Sequence, residues 1–431
     1  MSGARIRITG GRVIDPANGV DRVDDLYIAD GRVVSFGACP EGFQVDHQID
    51  ASGRIVCPGF VDLCGRVREP GQEHKATIAS ESAAAAAGGI TTLCCPPDTS
   101  PVIDTPAVVQ LITERAEQAG KTRILPVGAL TRNLNGIDLS EMHALRRAGC
   151  LAVGNADRPM ANSLVLRRAL EYAANHGLIV FFRPEDPWLR GQGCVHEGEE
   201  AVRLGLPGIP VIAETVAVAQ ALPIIELTGV QAHFGQLSTV RSVEMIVEAR
   251  SRGIPVTADV SIHHLHLTEA DVEGFDSMCH NRPPFRAKAD REGLRKALAE
   301  GWIDAVCSDH QPHEPDAKLD VFPLTEPGLS ALEVVLPLMC GLVSKGVMTL
   351  PDAIARLTSG PAQILGTPLG TLSPGVVADV CIFDPAASWT VREDNWCSRG
   401  QNTPFWGKEL VGRVVWTILK GAVVHSASES P

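Results

Sequence analysis

Charged and nucleophilic side chains gather at a few points in this chain, each just after a short apolar run. Cys64, Arg66 and Arg68 follow Phe60–Cys64, and Asp98 follows Ile90–Cys95. Asn155, Asp157 and Arg158 follow Cys150–Gly154, and Arg183, Glu185 and Asp186 follow Leu178–Phe182. His233 and Gln236 end a sixth run, His263, His264 and His266 follow a seventh, and Asp309, His310 and His313 an eighth. Carboxylates and imidazoles in such numbers could bind a divalent metal and activate water. Arginines among them favour a different chemistry, in which fixed positive charge meets carboxylates or a small anion.

The elements that must position these groups are legible in the spacing. Eight apolar runs (Phe60–Cys64, Ile90–Cys95, Arg123–Ala129, Cys150–Gly154, Leu178–Phe182, Val230–His233, Pro255–Val260, Ala305–Cys307) alternate with helical stretches. The helical stretches include Ala83–Ala87, Pro106–Ala119, Ser163–His176, Thr239–Ser251 and Asp290–Glu300, with Ser163, Thr239 and Asp290 as expected caps. This alternation predicts an α/β fold, a (β/α)8 TIM-like barrel over 58–369 whose polar mouth lies at the carboxyl ends of the strands. Residues 1–57 and 370–431 carry short strands broken by tight turns, and predict one small β-sandwich formed by both termini. Arg183–His196 and Pro312–Gly328 read as long irregular loops.

Composition narrows the function classes. The 431 residues are 45% hydrophobic and carry 51 acids against 38 bases, a net charge of −13. No basic run exceeds two residues, which argues against nucleic acid and anionic membrane surfaces as partners. The opening MSGARIRITGG is too short and polar for a secretory signal, and no apolar run is long enough to span a bilayer. A cytoplasmic protein is expected. The 12 cysteines include no CxxC spacing, so free thiols are expected rather than a disulfide framework or a cysteine zinc site.

Several motifs together resemble the bacterial-type dihydroorotases of the cyclic amidohydrolase family. They are PGFVD near 58, PPDTSP at 96, VTADVSIHHLHL at 256, RPPFR at 282, SDHQPH at 308, and GTLSPGVVADVCIFDP followed by SRGQNTPFWG. In that family strand one ends in His-x-His within DLHVHLREPG; here the matching positions are Cys64 and Arg66. The bridging Asp falls on Asn155, the His of an HxED turn on Arg183, and the His before a Ser-Thr pair on Gln236. Asp309 alone is kept, so the resemblance implies that five of six ligand positions have changed. Of the substrate-binding positions, Arg68 and His313 are kept, while two asparagines have become Asp98 and Arg282.

A catalytic zinc needs about three protein ligands, and arginine cannot be one. Two unit charges ~4 Å apart at an effective dielectric near 20 interact by roughly 4 kcal/mol, so Arg66 and Arg183 would repel a divalent ion strongly. The reading preferred is a vestigial site of Cys64, Arg66, Asn155, Arg183, Gln236 and Asp309 with no metal, no cofactor and no catalytic residue. Guanidinium groups would take the cation's place, with Asp309, Glu185 or Asp157 as partners. Cys64 reads as a buried thiol rather than a soft ligand, and the His263–His266 cluster as a feature of the fold rather than a metal site.

The resemblance extends to the non-catalytic dihydroorotase-like chains of bacterial aspartate carbamoyltransferase. It implies a pseudo-enzyme that assembles with the transcarbamoylase catalytic chain, and with copies of itself, in a large hetero-oligomer of de novo pyrimidine biosynthesis. Two alternatives stay open at this stage. One is an active metal-dependent cyclic amidohydrolase using Cys64, His233 or the 263–266 histidines. The other is a sensor holding a small carboxylate on Arg68, Asp98, Arg282 and His313 without turnover.

Overall fold

The computed structural model describes residues 4–427. Eight parallel staves form the barrel: Phe60–Asp62, Ile90–Cys95, Arg123–Ala129 (interrupted at Val127), Ala152–Gly154, Ile179–Phe182, Ala232–Phe234, Val256–Ser261 and Ala305–Cys307. Stave one pairs with stave two and stave two with stave three, and the third continues into pairing with the fourth. A parallel bridge from Gly65 to His310 closes the ring, with the Arg66 amide donating to the His310 carbonyl at 2.8 Å. The interior is filled by Val61, Leu63, Cys94, Val127, Ala152, Ile179, Ala305 and Cys307, with Ile364 and Leu365 packed among them. Small and β-branched side chains suit this narrow space, so the barrel is packed and not a pore.

Helices cover the outside, and local chemistry explains their ends. Thr77 caps Ile78–Ala87 by accepting from the Ser80 amide, and Thr239 caps Val240–Ser251 by accepting from the Ser242 amide. Pro106 opens Pro106–Ala119, and Gly120 closes it in the left-handed region at φ +62°. Two expected caps move. Asn162, not Ser163, caps Ser163–Asn175, and Asp290 lies inside the first turn of Lys288–Ala299. Helices at Ile212–Thr228 and Val335–Ser344 add to the expected set. Their sequences are apolar on nearly every face, so no amphipathic period marks them.

Both termini meet in one eight-stranded sheet, ordered Ala422–Ser426, Glu409–Leu419, Val380–Thr390, Ile55–Pro58, Ile6–Asp15, Val20–Ala29, Arg32–Phe36, with His47–Asp50 beside Ile6–Asp15. Ile55–Pro58 is the seam, parallel to Arg12–Val13 on one side and antiparallel to Val380–Phe383 on the other. Arg32 bridges Val377, which folds the sheet back over a separate core of Ile6, Ile8, Leu26, Ile28, Val56, Val380 and Ile418. Gly59 alone separates the seam from stave one, and a Cβ there would meet the Thr91 side chain at 2.3 Å.

Candidate functional site

The mouth of the barrel is built on Arg66. Its Nε lies 2.7 Å from Asp98 Oδ2, one Nη 3.1 Å from Asp157 Oδ2, and the other 3.8 Å from Asp309 Oδ1. The three carboxylates come from the loops after staves two and four and from the end of stave eight, so the guanidinium ties three parts of the ring together. Its side chain is 5% exposed. Burial works against the charge, but Asp157 and Asp98 outweigh it.

Arg183, at the end of stave five, reaches the same carboxylate from the other side. One Nη lies 2.6 Å from Asp157 Oδ1, and the other donates to the Arg282 carbonyl. Burial would raise the Asp157 pKa, yet Arg183 and then Arg66 hold it well below the usual carboxylate range. Asp309 sits between opposing effects. Burial pushes it up to about 6 although Arg183 and Arg66 pull it down. Its Oδ2 has no hydrogen-bond partner among the described residues.

The other residues expected at this site turn to local partners. Asn155 accepts from Thr131 Oγ1 at 2.8 Å and donates to the Arg158 carbonyl at 2.7 Å. Gln236, at φ +52°, donates its amide to Asp259 Oδ1 at 2.6 Å. Cys64 is buried against Asp309 Oδ1 at 3.8 Å, and burial pushes its thiol well above the ordinary range. Arg68, Ala156, Gln236 and Asp309 all have positive φ, between +45° and +61°. Non-glycine residues rarely adopt that region, and such strain concentrates at ligand clamps and active sites.

The four residues expected to hold a carboxylate do not converge. Asp98 is paired with Arg66. Arg282 is paired with Glu185, its Nε 2.9 Å from Oε2, and Arg190 meets the same carboxylate at 3.0 Å. Glu185 thus partners Arg282 and Arg190, while Arg66 and Arg183 share Asp157. Arg68 and His313 do touch, at 3.0 Å, but Arg68 Nε donates to the Pro312 carbonyl at 2.9 Å. Burial and then Arg66 bring the Arg68 pKa down to about 10. His313 accepts from Lys75 Nζ at Nδ1 across 3.2 Å, and burial with Arg68 and Lys75 beside it keeps the ring neutral. These contacts pin the 312–328 loop over the mouth.

Three histidines are likewise bonded into the fold, while His263 Nδ1 and His266 Nε2 have no hydrogen-bond partner among the described residues. His233 is held between Thr257 Oγ1 and Asp259 Oδ2, both at 2.9 Å. His264 contacts Ser261 Oγ at 2.6 Å and the Pro284 carbonyl at 3.3 Å, and burial lowers its pKa to about 3. His310 accepts from the Ala331 amide at Nδ1 and so donates from Nε2 to Glu81, 2.7 Å away. Glu81, Asp259 and Lys75 escaped the sequence reading. The signal was present for two of them: a carboxylate inside the polyalanine helix and another inside the buried run VTADVS.

A divalent metal does not fit this donor set. Among the described residues no group of three or more His, Cys, Asp or Glu side chains is placed to hold one. Where cationic charge would be wanted, the Arg66 guanidinium already faces Asp98, Asp157 and Asp309. The side chains leave about 40 Å³ for the centres of water molecules between Cys64, Arg66, Asp157, Arg183, His233 and Gln236. That is well below the ≈ 300–1,000 Å³ usual for small-molecule sites.

Comparison with known proteins places this architecture. A family profile described as "Dihydro-orotase-like" matches residues 53–242, and one described as "Amidohydrolase family" matches 224–424. A "Dihydroorotase-like protein" of Pseudomonas aeruginosa is 49% identical over 97% of this chain and 99% of its own length. The chain belongs to the dihydroorotase-like amidohydrolase family. A dihydroorotase of Anaeromyxobacter dehalogenans is 44% identical to this dihydroorotase-like chain, over 98% of both. The solved structure of an L-hydantoinase (dihydropyrimidinase) from Arthrobacter aurescens superposes with a TM-score of 0.87 over 100% of the chain and 98% of its own, at 24% identity. That likeness fixes the fold: an amidohydrolase barrel with a β-sandwich made by the termini. No helix of the described residues is long and apolar enough to cross a membrane.

Proposed function

We propose that this dihydroorotase-like chain is catalytically inactive and serves as an assembly and regulatory subunit for an aspartate carbamoyltransferase catalytic chain in cytoplasmic pyrimidine biosynthesis. The observation that carries the reading is Arg66, whose guanidinium lies within ion-pair reach of Asp98, Asp157 and Asp309. A barrel that neutralises its own central carboxylates keeps the fold without a Lewis acid or a metal-activated water. The exposed surface supports an assembly role. Ile212, Val216 and Leu227 are 52%, 41% and 65% exposed on one helix, and Trp188 is 82% exposed nearby in the fold. Apolar side chains in that arrangement suit burial against another chain, including further copies of this one.

Co-expression with the transcarbamoylase catalytic chain, followed by native mass measurement, tests the reading. A stable hetero-oligomer of fixed stoichiometry is expected. A monomer or homodimer that never engages that chain overturns it.

The second reading is an active cyclic amidohydrolase with an altered metal site. Its support is the name dihydroorotase carried by relatives 44% identical over nearly the whole chain. Hydrolysis of dihydroorotate by purified protein, with and without added Zn²⁺ or Mn²⁺, separates the two.

A further inference from the structure

Away from the barrel mouth, a cleft of about 420 Å³ opens between the end of helix Ile78–Ala87, helix Val335–Ser344 and the strands Glu409–Leu419 and Ala422–Ser426. Its size falls in the range of small-molecule sites, ≈ 300–1,000 Å³. Two indoles line it. Trp389 Nε1 donates to the Gly412 carbonyl at 3.1 Å, and Trp396 Nε1 to the Gly400 carbonyl at 2.8 Å. Both polar tips are satisfied within the protein, while the rings remain half-exposed on the cleft wall.

The cationic side of the cleft is open. Arg413 is half-buried, lies opposite Asp384 in the strand pairing, and its side chain has no hydrogen-bond or ion-pair partner among the described residues. His425, paired with Thr417 through the strand ladder, stands beside it with no hydrogen-bond partner for its side chain among the same residues, its pKa lowered by burial, then by Arg413 and Lys121. Arg392 and Asp394 pair with each other at 3.3 Å on the exposed rim. Glu333 faces inward, accepting from the Cys397 and Ser398 amides at 3.0 Å, so its carboxylate is already occupied. An unpaired guanidinium beside an imidazole and two half-exposed indoles matches one ligand chemistry: a planar aromatic ring bearing an anionic group.

We propose that this cleft, formed by Arg413, His425, Trp389 and Trp396, binds a small aromatic anion. The anion contacts Arg413 and His425, and the ring packs on the indole faces. Two sources share that chemistry, a nucleoside monophosphate and an aromatic carboxylate.

Titration calorimetry and tryptophan quenching on the full chain, with adenosine monophosphate, indole-3-acetate and inorganic phosphate as separate probes, test the proposal. Saturable binding of at least one aromatic anion is expected, weakened tenfold or more by Arg413→Gln through loss of a charge-assisted hydrogen bond and unchanged by Arg68→Ala at the barrel mouth. Binding of adenosine monophosphate alone assigns the phosphate source, and binding of indole-3-acetate alone the carboxylate source. If Arg413→Gln fails to fold, His425→Asn carries the same expectation. The proposal is overturned by absence of saturable binding below millimolar concentrations for both aromatic probes. Equal affinity for inorganic phosphate, or an affinity indifferent to the cleft substitutions, overturns it as well.

Discussion

Arg66 Nη1 lies 3.8 Å from Asp309 Oδ1, so the fully buried carboxylate at the end of stave eight faces a guanidinium. The same Arg66 is also bound to Asp98 and Asp157, which makes it the centre of charge at the barrel mouth.

Removing that centre leaves three buried or half-buried carboxylates facing one another. Arg66→Ala is expected to destabilise the isolated chain by roughly 3–5 kcal/mol, the range for breaking a buried ion pair from one side. Arg66→Lys should recover only part of this, since a single ammonium cannot reproduce the planar fork. Urea denaturation measures both. A loss below about 1 kcal/mol for the alanine variant would show that the network contributes little.

Purified protein should carry far less than one zinc per chain, and incubation with excess Zn²⁺ followed by desalting should not raise that to stoichiometry. The reason is electrostatic: Arg66 and Arg183 hold positive charge against the same Asp157 carboxylate. Elemental analysis by mass spectrometry decides. Stoichiometric zinc removed by a chelator would favour the enzymatic reading.

Asp62 gives a pH signature. Burial raises its carboxyl to about 7, while an unfolded aspartate titrates near 3.9. Between these values the native state holds a proton that the unfolded state has released. Stability from this group therefore falls as pH rises from about 4 to 7 and levels off above. Asn at 62 can still accept from the Cys64 and Ser308 amides, both of which reach Asp62 Oδ1. Asp62→Asn should match the parent near pH 4 and exceed it increasingly up to pH 7. Denaturation at several pH values reads this directly, and a constant difference across the window would contradict it.

Arg68 is expected to act on the loop above it. Its side chain contacts the Pro312 carbonyl and His313, at the start of a segment whose Leu319, Val321 and Leu324 are exposed. Arg68→Ala should speed proteolytic cleavage within 312–328 by several-fold, with little change in global unfolding. If instead cleavage is unchanged and dihydroorotate or carbamoyl aspartate protects only the parent chain in thermal shift, Arg68 is a ligand contact.

The sequence by itself determined the staves, the alternation and the residue types at each strand end. Those features are local. Short apolar runs, the Thr239 cap and the left-handed Gly120 each depend on a few neighbouring residues. The arginines Arg66 and Arg183 just after two of these runs are visible in the same way. The tertiary structure decided which charges meet. Asp157 is shared by Arg66 and Arg183, Glu185 turns to Arg282 and Arg190, and Asp98 joins the central network. These partners lie on different loops, and the pairing depends on how far each loop leans across the barrel mouth, which no local pattern encodes. The same reason hid helix Ile212–Thr228, whose apolar faces are assigned to core or surface only by what packs against them.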